Sequence, residues 1–194
     1  MKKWLDSFSI KAKKQGYPAR SVFKLKQIDQ KYKIIKTGNK ILDLGASPGS
    51  WVLYASEIIG KKGGITAVDI NALKIKLLPN LKFIKHDIFN PEIFSLIQKK
   101  FDVVLSDLSP STSGIKDIDE QRSFELSKRA LQIAKKFLKK DGNFVCKVFE
   151  GEKSNELFNQ IKKCFDFSKR FRPTATRKRS KEIYIIARGF KRNF

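Results

Sequence analysis

The stretch that most constrains the fold is Asn39-Lys40-Ile41-Leu42-Asp43-Leu44-Gly45-Ala46-Ser47-Pro48-Gly49-Ser50-Trp51. Its apolar run, Ile41 to Leu44, ends in a turn holding Gly45 and Gly49, and Trp51-Val52-Leu53-Tyr54 resumes in helical rhythm. This pattern predicts a buried strand, a tight turn and a helix. In an open α/β sheet such a turn lies at the carboxyl edge of the strand, beside the crevice that takes small ligands. Glycine there lets the main chain approach a ligand with no Cβ between them. The turn is not G-x-G-x-x-G, Pro48 lacks an N–H, and Asp43 adds a carboxylate, so a pyrophosphate would be poorly held. A cationic or neutral ligand with a nucleoside part suits it better. The alternative is an ordinary strand-to-helix turn.

The rest of the chain alternates in the same way. The first dozen residues read as a basic, loosely ordered arm, and 19–31 as an amphipathic helix with Val22, Leu25 and Ile28 on one face. A helix is expected over 51–59, a second strand over 65–68 ending at Asp69, and a third over 81–84 followed by His86-Asp87. Asp69 stands where an acid commonly meets the ribose hydroxyls of a bound nucleoside. It is equally placed to cap a helix beginning near Ala72. A fourth strand covers 101–106 and leads into Asp107-Leu108-Ser109-Pro110; a loop at 111–114 and a long helix over 120–138 follow. Asp141-Gly142 turns the chain into a fifth strand, 143–148. After a helix over 154–163 come a sixth strand over 165–172, a basic loop over 173–181 and a last strand over 183–187. Alternating strands and helices predict an α/β fold with a mainly parallel sheet. The last two strands lack a helix between them and suggest an antiparallel hairpin at one edge.

At 194 residues and 41% hydrophobic content the chain can bury a substantial core as one domain, 1–194, with a basic arm and helix over about 1–36. Nothing approaches the roughly 18 uninterrupted apolar residues of a membrane span, and the N-terminus lacks an apolar signal core, so a cytoplasmic location is expected. Cys146 and Cys164 have neither metal-ligand spacing nor a disulfide pattern; Cys146, within Phe144-Val145-Cys146, reads as a reduced core thiol. No metal site is expected.

The net charge of +23 is unevenly spread. Residues 11–40 carry ten Lys/Arg against Asp29 alone, and residues 169–192 carry ten more against Glu182 alone. These segments hold a net +18, leaving +5 for the other 140 residues. Solvated surface lysines in a lysine-rich composition would be spread evenly. The clustering points instead to a polyanion partner, and nucleic acid is the one expected.

Asp69, Asp87 and Asp107 stand at or just past the ends of consecutive strands, on one crevice edge. Lys24 and Lys147 are embedded in apolar runs, where a lysine is expensive unless paired. Lys147, in Asn-Phe-Val-Cys-Lys-Val-Phe, is the sharper anomaly. It is either an edge residue snorkelling to water or a functional lysine held by carboxylates in a cleft.

With these residues in place, the sequence resembles the FtsJ/RrmJ-type RNA ribose 2′-O-methyltransferases, which use S-adenosylmethionine. The matching pieces are Arg20-Ser21-Val22-Phe23-Lys24-Leu25, Asp43 through Trp51, Ser106-Asp107-Leu108-Ser109-Pro110, Phe144-Val145-Cys146-Lys147-Val148-Phe149 and Ser180-Lys181-Glu182-Ile183-Tyr184. They span nearly the whole chain in the family's order. The resemblance implies a Rossmann-like sheet of order 3-2-1-4-5-7-6 with its last strand antiparallel. It places the family's catalytic tetrad on Lys24, Asp107, Lys147 and Glu182. Cofactor contacts fall on Gly45, Pro48, Gly49, Trp51, Asp69, Asp87 and Asp107. Arg20, Lys24, Arg177, Lys178 and Arg179 are the candidate RNA contacts. Ser47, Ser50 and His86 depart from the family's usual residues without touching a chemical role.

The short chain resembles the bacterial members, which act on a uridine of large-subunit ribosomal RNA; tRNA and other RNAs are the alternatives within the family. A monomer is expected. Lysine's ordinary pKa near 10.4 leaves it protonated at neutral pH, so its use as a base depends on its surroundings. Burial and nearby cations disfavour an ammonium, whereas carboxylates favour it. An NAD-dependent oxidoreductase shares the strand-turn-helix and Asp69 but lacks the glycine loop. A non-catalytic RNA-binding module explains the charge but not the two embedded lysines.

Overall fold

A computed structural model describes residues 7–191. In chain order the elements are α1 (Ser7–Lys14), α2 (Val22–Tyr32), β1 (Lys40–Leu44), α3 (Ser50–Ile59), β2 (Gly64–Asp69), β3 (Leu81–Lys85) and α4 (Ile93–Leu96). They continue with β4 (Phe101–Ser106), α5 (Lys116–Phe137), β5 (Leu138–Phe149), α6 (Glu152–Cys164), β6 (Phe165–Phe171) and β7 (Glu182–Phe190).

The strands form one sheet in the order β3-β2-β1-β4-β5-β7-β6. β1 pairs in parallel with both β2 and β4, and β7 runs antiparallel to β5 and to β6. The sequence order reverses between β1 and β4, which puts a crevice at their carboxyl ends. Both faces of the sheet are buried, as the continuous apolar runs of β1 and β4 require. On one face Leu25, Ile28, Ile41, Trp51, Val52, Val103, Val145 and Tyr184 pack with α2 and α3. On the other, Leu42, Leu44, Val104, Phe124, Phe137, Leu157 and Ile161 pack with α5 and α6.

Local sequence explains most element boundaries. α2 buries Val22, Leu25, Ile28 and Asp29, and it stops where Lys33 turns left-handed at φ 53°, its N–H donating to Asp29 O. α3 opens after Gly49 and closes at Gly60. The β6–β7 hairpin at the sheet edge matches the pattern expected of two strands with no helix between them.

Three local expectations change, and one short helix was not expected. The arm is not loose throughout: Ser7–Lys14 is helical, because Ala12 is buried and the Phe8 ring packs 5.5 Å from Phe23. Residues 1–6 of that arm, and Arg192 of the basic C-terminal segment, lie outside the described residues. No helix begins near Ala72. The chain there folds back on the 45–50 turn, with Lys74 N–H donating to Pro48 O at 3.0 Å and Ser47 Oγ to Ala72 O at 3.1 Å. The short helix α4 carries only Ile93 into the core, too little periodicity to be read from sequence. Finally, β5 begins at Leu138 rather than at 143, with Asp141 at φ 63° and a register shift opposite Phe101/Val103.

Candidate active site

Sheet register assembles the site. Lys147 on β5 lies opposite Tyr184 on β7, and Phe149 lies opposite Glu182. Alternation puts Glu182 and Tyr184 on the same face as Lys147, the face covered by α2. Lys24 reaches it from α2, and Asp107 from the first residue after β4.

These groups form one chain of ion pairs. Lys24 Nζ lies 2.5 Å from Glu182 Oε2, and Lys147 Nζ lies 3.9 Å from Glu182 Oε1 and 3.2 Å from Asp107 Oδ1. Lys147 Nζ also donates to the Asp107 main-chain oxygen at 2.7 Å. Its side chain is only 4% exposed, so it is not an edge lysine reaching for water. The buried Tyr184 hydroxyl donates to Asp107 Oδ1 at 2.7 Å. Burial, then the Asp107 and Glu182 charges, hold that phenol well above its usual range, so it stays a donor. Tyr184 carried no role in the sequence reading. The signal was there, since it is the one polar side chain two residues from Glu182 in an isoleucine-rich strand.

The three strand-end acids converge as well. Asp69, Asp87 and Asp107 line a cavity of about 430 Å³, with Gly45, Ser47 and His86 in its wall. Asp69 accepts Ser47 N–H at 2.9 Å and Asn71 N–H at 2.7 Å, and Asp87 accepts Phe89 N–H at 2.9 Å. Each carboxylate thus fixes the main chain that carries the cavity. Asp43 sits close by, 1% exposed, and among the described residues neither of its oxygens has a hydrogen-bond partner. Burial and the charges of Asp107 and Asp69 hold its carboxyl well above the usual range. An acid-lined pocket with an orphaned carboxyl beside it fits a ligand carrying positive charge. S-adenosylmethionine, with its sulfonium and ammonium, is such a ligand, and a dinucleotide pyrophosphate is not.

Pro48, Gly49 and Trp51 do not line that cavity. Gly49 has φ +111°, and a Cβ there would come within 2.8 Å of the Ile75 side chain. Its glycine is demanded by backbone conformation and by Ile75, so Gly49→Val disturbs packing before it disturbs any ligand. Gly45, at φ +78°, faces Leu108 N at 2.9 Å from an added Cβ, which seats the 107–109 segment against the turn. Trp51 donates its indole N–H to Ser21 O at 2.9 Å, and its ring lies 5.9 Å from Tyr184. It therefore ties the start of α2 to the tetrad.

A second cavity, of about 300 Å³, is lined by Arg20, Ser21, Lys24, Arg177, Ser180 and Glu182. The Arg20 guanidinium donates to Ala175 O, and Gln27 Nε2 donates to Thr174 Oγ1 at 2.8 Å, docking the basic 173–181 loop on α2. Arg172 donates to Ser180 O and closes that loop on itself, a role its sequence position did not signal. Arg177, Lys178 and Arg179 are exposed. Cys146 and Cys164 are buried free thiols, and desolvation pushes Cys146 up to about 12.

A family model described as FtsJ-like methyltransferase matches residues 17–190. The chain belongs to this family. It is a methyltransferase, and the resemblance read from its motifs holds.

Two bacterial relatives share the name Ribosomal RNA large subunit methyltransferase E. That of Desulfatibacillum aliphaticivorans is 44% identical, over 94% of this chain and 89% of its own length. That of Bdellovibrio bacteriovorus is 44% identical, over 93% and 94%. A solved ribosomal RNA methyltransferase of Plasmodium falciparum superposes with a TM-score of 0.78 at 27% identity, covering 90% of this chain and 98% of that one. The fibrillarin/Nop5p complex matches at a TM-score of 0.61 and 22% identity, over 84% and 79%, a likeness of fold. No helix among the described residues is long and apolar enough to cross a membrane.

The orphaned Asp43 leads to a pH prediction. In the unfolded chain an aspartate titrates near 3.9; folded, Asp43 titrates higher. Above about pH 4 the native state therefore holds a proton that the unfolded state has lost, and Asp43 costs stability increasingly until its folded pKa is passed. Asp43→Asn removes this slope. Denaturant titrations should show the stability of the variant gaining on the wild type as pH rises from about 4, by up to ~1.4 kcal/mol per pH unit. Parallel curves across that window would show that Asp43 is not held protonated.

Proposed function

We propose that the protein transfers a methyl group from S-adenosylmethionine to a ribose 2′-hydroxyl, on a uridine of large-subunit ribosomal RNA. One observation carries this reading. A continuous chain of ion pairs, Asp107–Lys147–Glu182–Lys24, links the acid-lined cavity to the basic one. The first suits a cationic nucleoside cofactor, the second an anionic polymer, and the reacting atoms would meet between them. The names of the bacterial relatives support the choice of RNA.

When bound, the cofactor supplies an electrophilic methyl group on a sulfonium. Asp69 and Asp87 would hold it by accepting hydrogen bonds, and Asp107 would add negative charge beside it. The chain's own task is to hold the alcohol in line and to take its proton as the oxygen becomes a nucleophile. Lys147 is placed for this: the Asp107 carbonyl and carboxylate fix its amine, which must first give up the proton of its ion-paired form to solvent before it takes that of the hydroxyl. Tyr184 fixes Asp107 in turn. Lys24, held by Glu182, stands in the wall of the basic cavity, where it meets the ribose and its phosphate.

Two experiments test this. Isothermal titration should show binding of S-adenosylmethionine and none of NAD. Mapping of 2′-O-methyl groups in RNA from a deletion strain should reveal one large-subunit uridine that has lost its methyl. A complete large-subunit map with a gap in tRNA instead would move the substrate, and no gap in any RNA would refute the reading.

Neutralising Arg177, Lys178 and Arg179 together should weaken RNA binding and flatten its salt dependence by roughly 0.7–0.9 log units per lost phosphate contact, with cofactor affinity unmoved. Intact RNA affinity and salt slope would mark these charges as a solvated loop.

A further inference from the structure

A third cavity, of about 460 Å³, is lined by Gly16, Tyr17 and Pro18, the residues that directly precede the Ala19-Arg20-Ser21 stretch lining the basic one. Its volume falls within the roughly 300–1,000 Å³ of small-ligand sites. Tyr17, Leu53 and Ile75 give it an apolar lining, Lys13, Lys74 and Lys76 stand on it exposed, and no acidic residue lines it. Among the described residues none of these three ammonium groups forms an ion pair. The Tyr17 ring is fixed: its hydroxyl donates to the Glu57 carboxylate at 2.8 Å, and Lys26 Nζ lies 4.3 Å from the ring centroid.

The surrounding main chain is held too. Ala19 N–H donates to Ser50 Oγ at 2.7 Å, and Lys74 N–H donates to Pro48 O at 3.0 Å. The cavity is thus a preformed apolar recess with a cationic rim, and its 16–18 segment runs directly into the 19–21 segment of the groove that holds Lys24. It is opposite in character to the cavity lined by Asp69, Asp87 and Asp107.

We propose that this cavity seats one unpaired nucleotide of the substrate RNA, with its base against the half-buried Leu53 and Ile75 beside the buried Tyr17, and its phosphates among Lys13, Lys74 and Lys76. Unpaired bases are gripped in this way, by an aromatic or apolar platform with cations on the backbone. The inference rests on the RNA reading above. It adds a second anchor outside the tetrad, so that the enzyme recognises an RNA with an unstacked nucleotide beside the modified one.

The test compares two triple variants that change charge equally. Lys13→Glu/Lys74→Glu/Lys76→Glu alters the cavity. Lys128→Glu/Lys135→Glu/Lys163→Glu alters a groove between α5 and α6, on the opposite face of the sheet. The probe is an in-vitro transcript of large-subunit ribosomal RNA carrying 4-thiouridine. The first variant should bind it at least about 10-fold more weakly at physiological salt, with a salt slope lower by about 2. It should also lose the photocrosslink to the Tyr17 peptide that the wild type forms, with cofactor affinity unchanged in both. The second variant should stay within about 2-fold of wild type. Equal losses in both variants, or wild-type binding by the first, would overturn the proposal while leaving the RNA reading intact. Failure of the wild-type protein to bind the transcript at all would overturn the RNA reading itself.

Discussion

Lys147→Ala is expected to abolish methyl transfer, by at least about 10²-fold in single-turnover assays, the usual scale of losing a general base. Cofactor binding should survive, because Asp69 and Asp87 hold their places through main-chain hydrogen bonds that do not involve Lys147. Lys147→Arg separates two roles. It keeps the cation between Asp107 and Glu182, but a guanidinium stays protonated above pH 12 and cannot take a proton. If the lysine acts only by charge, the arginine variant retains part of its turnover. An arginine variant as inactive as the alanine one, still binding cofactor and RNA, supports proton transfer to the amine. Near-wild-type turnover by Lys147→Arg would sink that role.

Asp107→Asn should be nearly as damaging, and in two ways at once. The asparagine still accepts from Tyr184, but it no longer balances Lys147, whose amine loses the carboxylate 3.2 Å away. Leaving a buried cation without its partner costs about 3–5 kcal/mol in closed interiors; here about 2–4 kcal/mol is expected, because the Asp107 side chain is still partly exposed. Asp107 also lines the cofactor cavity, so cofactor affinity and methyl transfer should both fall, the latter by about 10²-fold or more. Adding Lys147→Met removes the stranded charge. The double variant should recover most of the lost stability and none of the activity. If it is as unstable as Asp107→Asn alone, the ion pair is not what Asp107 supplies to the fold.

The two substitutions probe one pair from both ends. Removing Lys147 leaves two acids, of which Glu182 keeps Lys24 at 2.5 Å and Asp107 keeps Tyr184 at 2.7 Å, so little stability is lost. Removing the Asp107 charge leaves a lysine that is 4% exposed with Glu182 only at 3.9 Å. The same contact is therefore more costly to break from the acid side, since the lysine is the more deeply desolvated partner.

What the sequence determined by itself is local and periodic. The run from Ile41 to Leu44 and the glycine turn after it announce the first strand and its crevice, and alternation of apolar runs with helical faces announces the α/β class. Lys147 was legible because an ammonium in an apolar strand demands partners, and Asp69, Asp87 and Asp107 because each ends such a strand. The motifs carried the family and the strand order. What only the tertiary structure decided is what fills the space beside each residue. Gly49 is glycine because Ile75, from a segment expected to be helical, lies against it. Ser7–Lys14 is ordered because Phe8 finds Phe23. Tyr184 belongs to the site because antiparallel register puts it opposite Lys147. The tetrad joins residues from α2, the end of β4, the middle of β5 and the start of β7, as much as 158 positions apart. Periodicity reports only which way a side chain faces within its own element. Whether two such faces meet depends on strand order, register and packing, and these are set by the burial of the whole sheet.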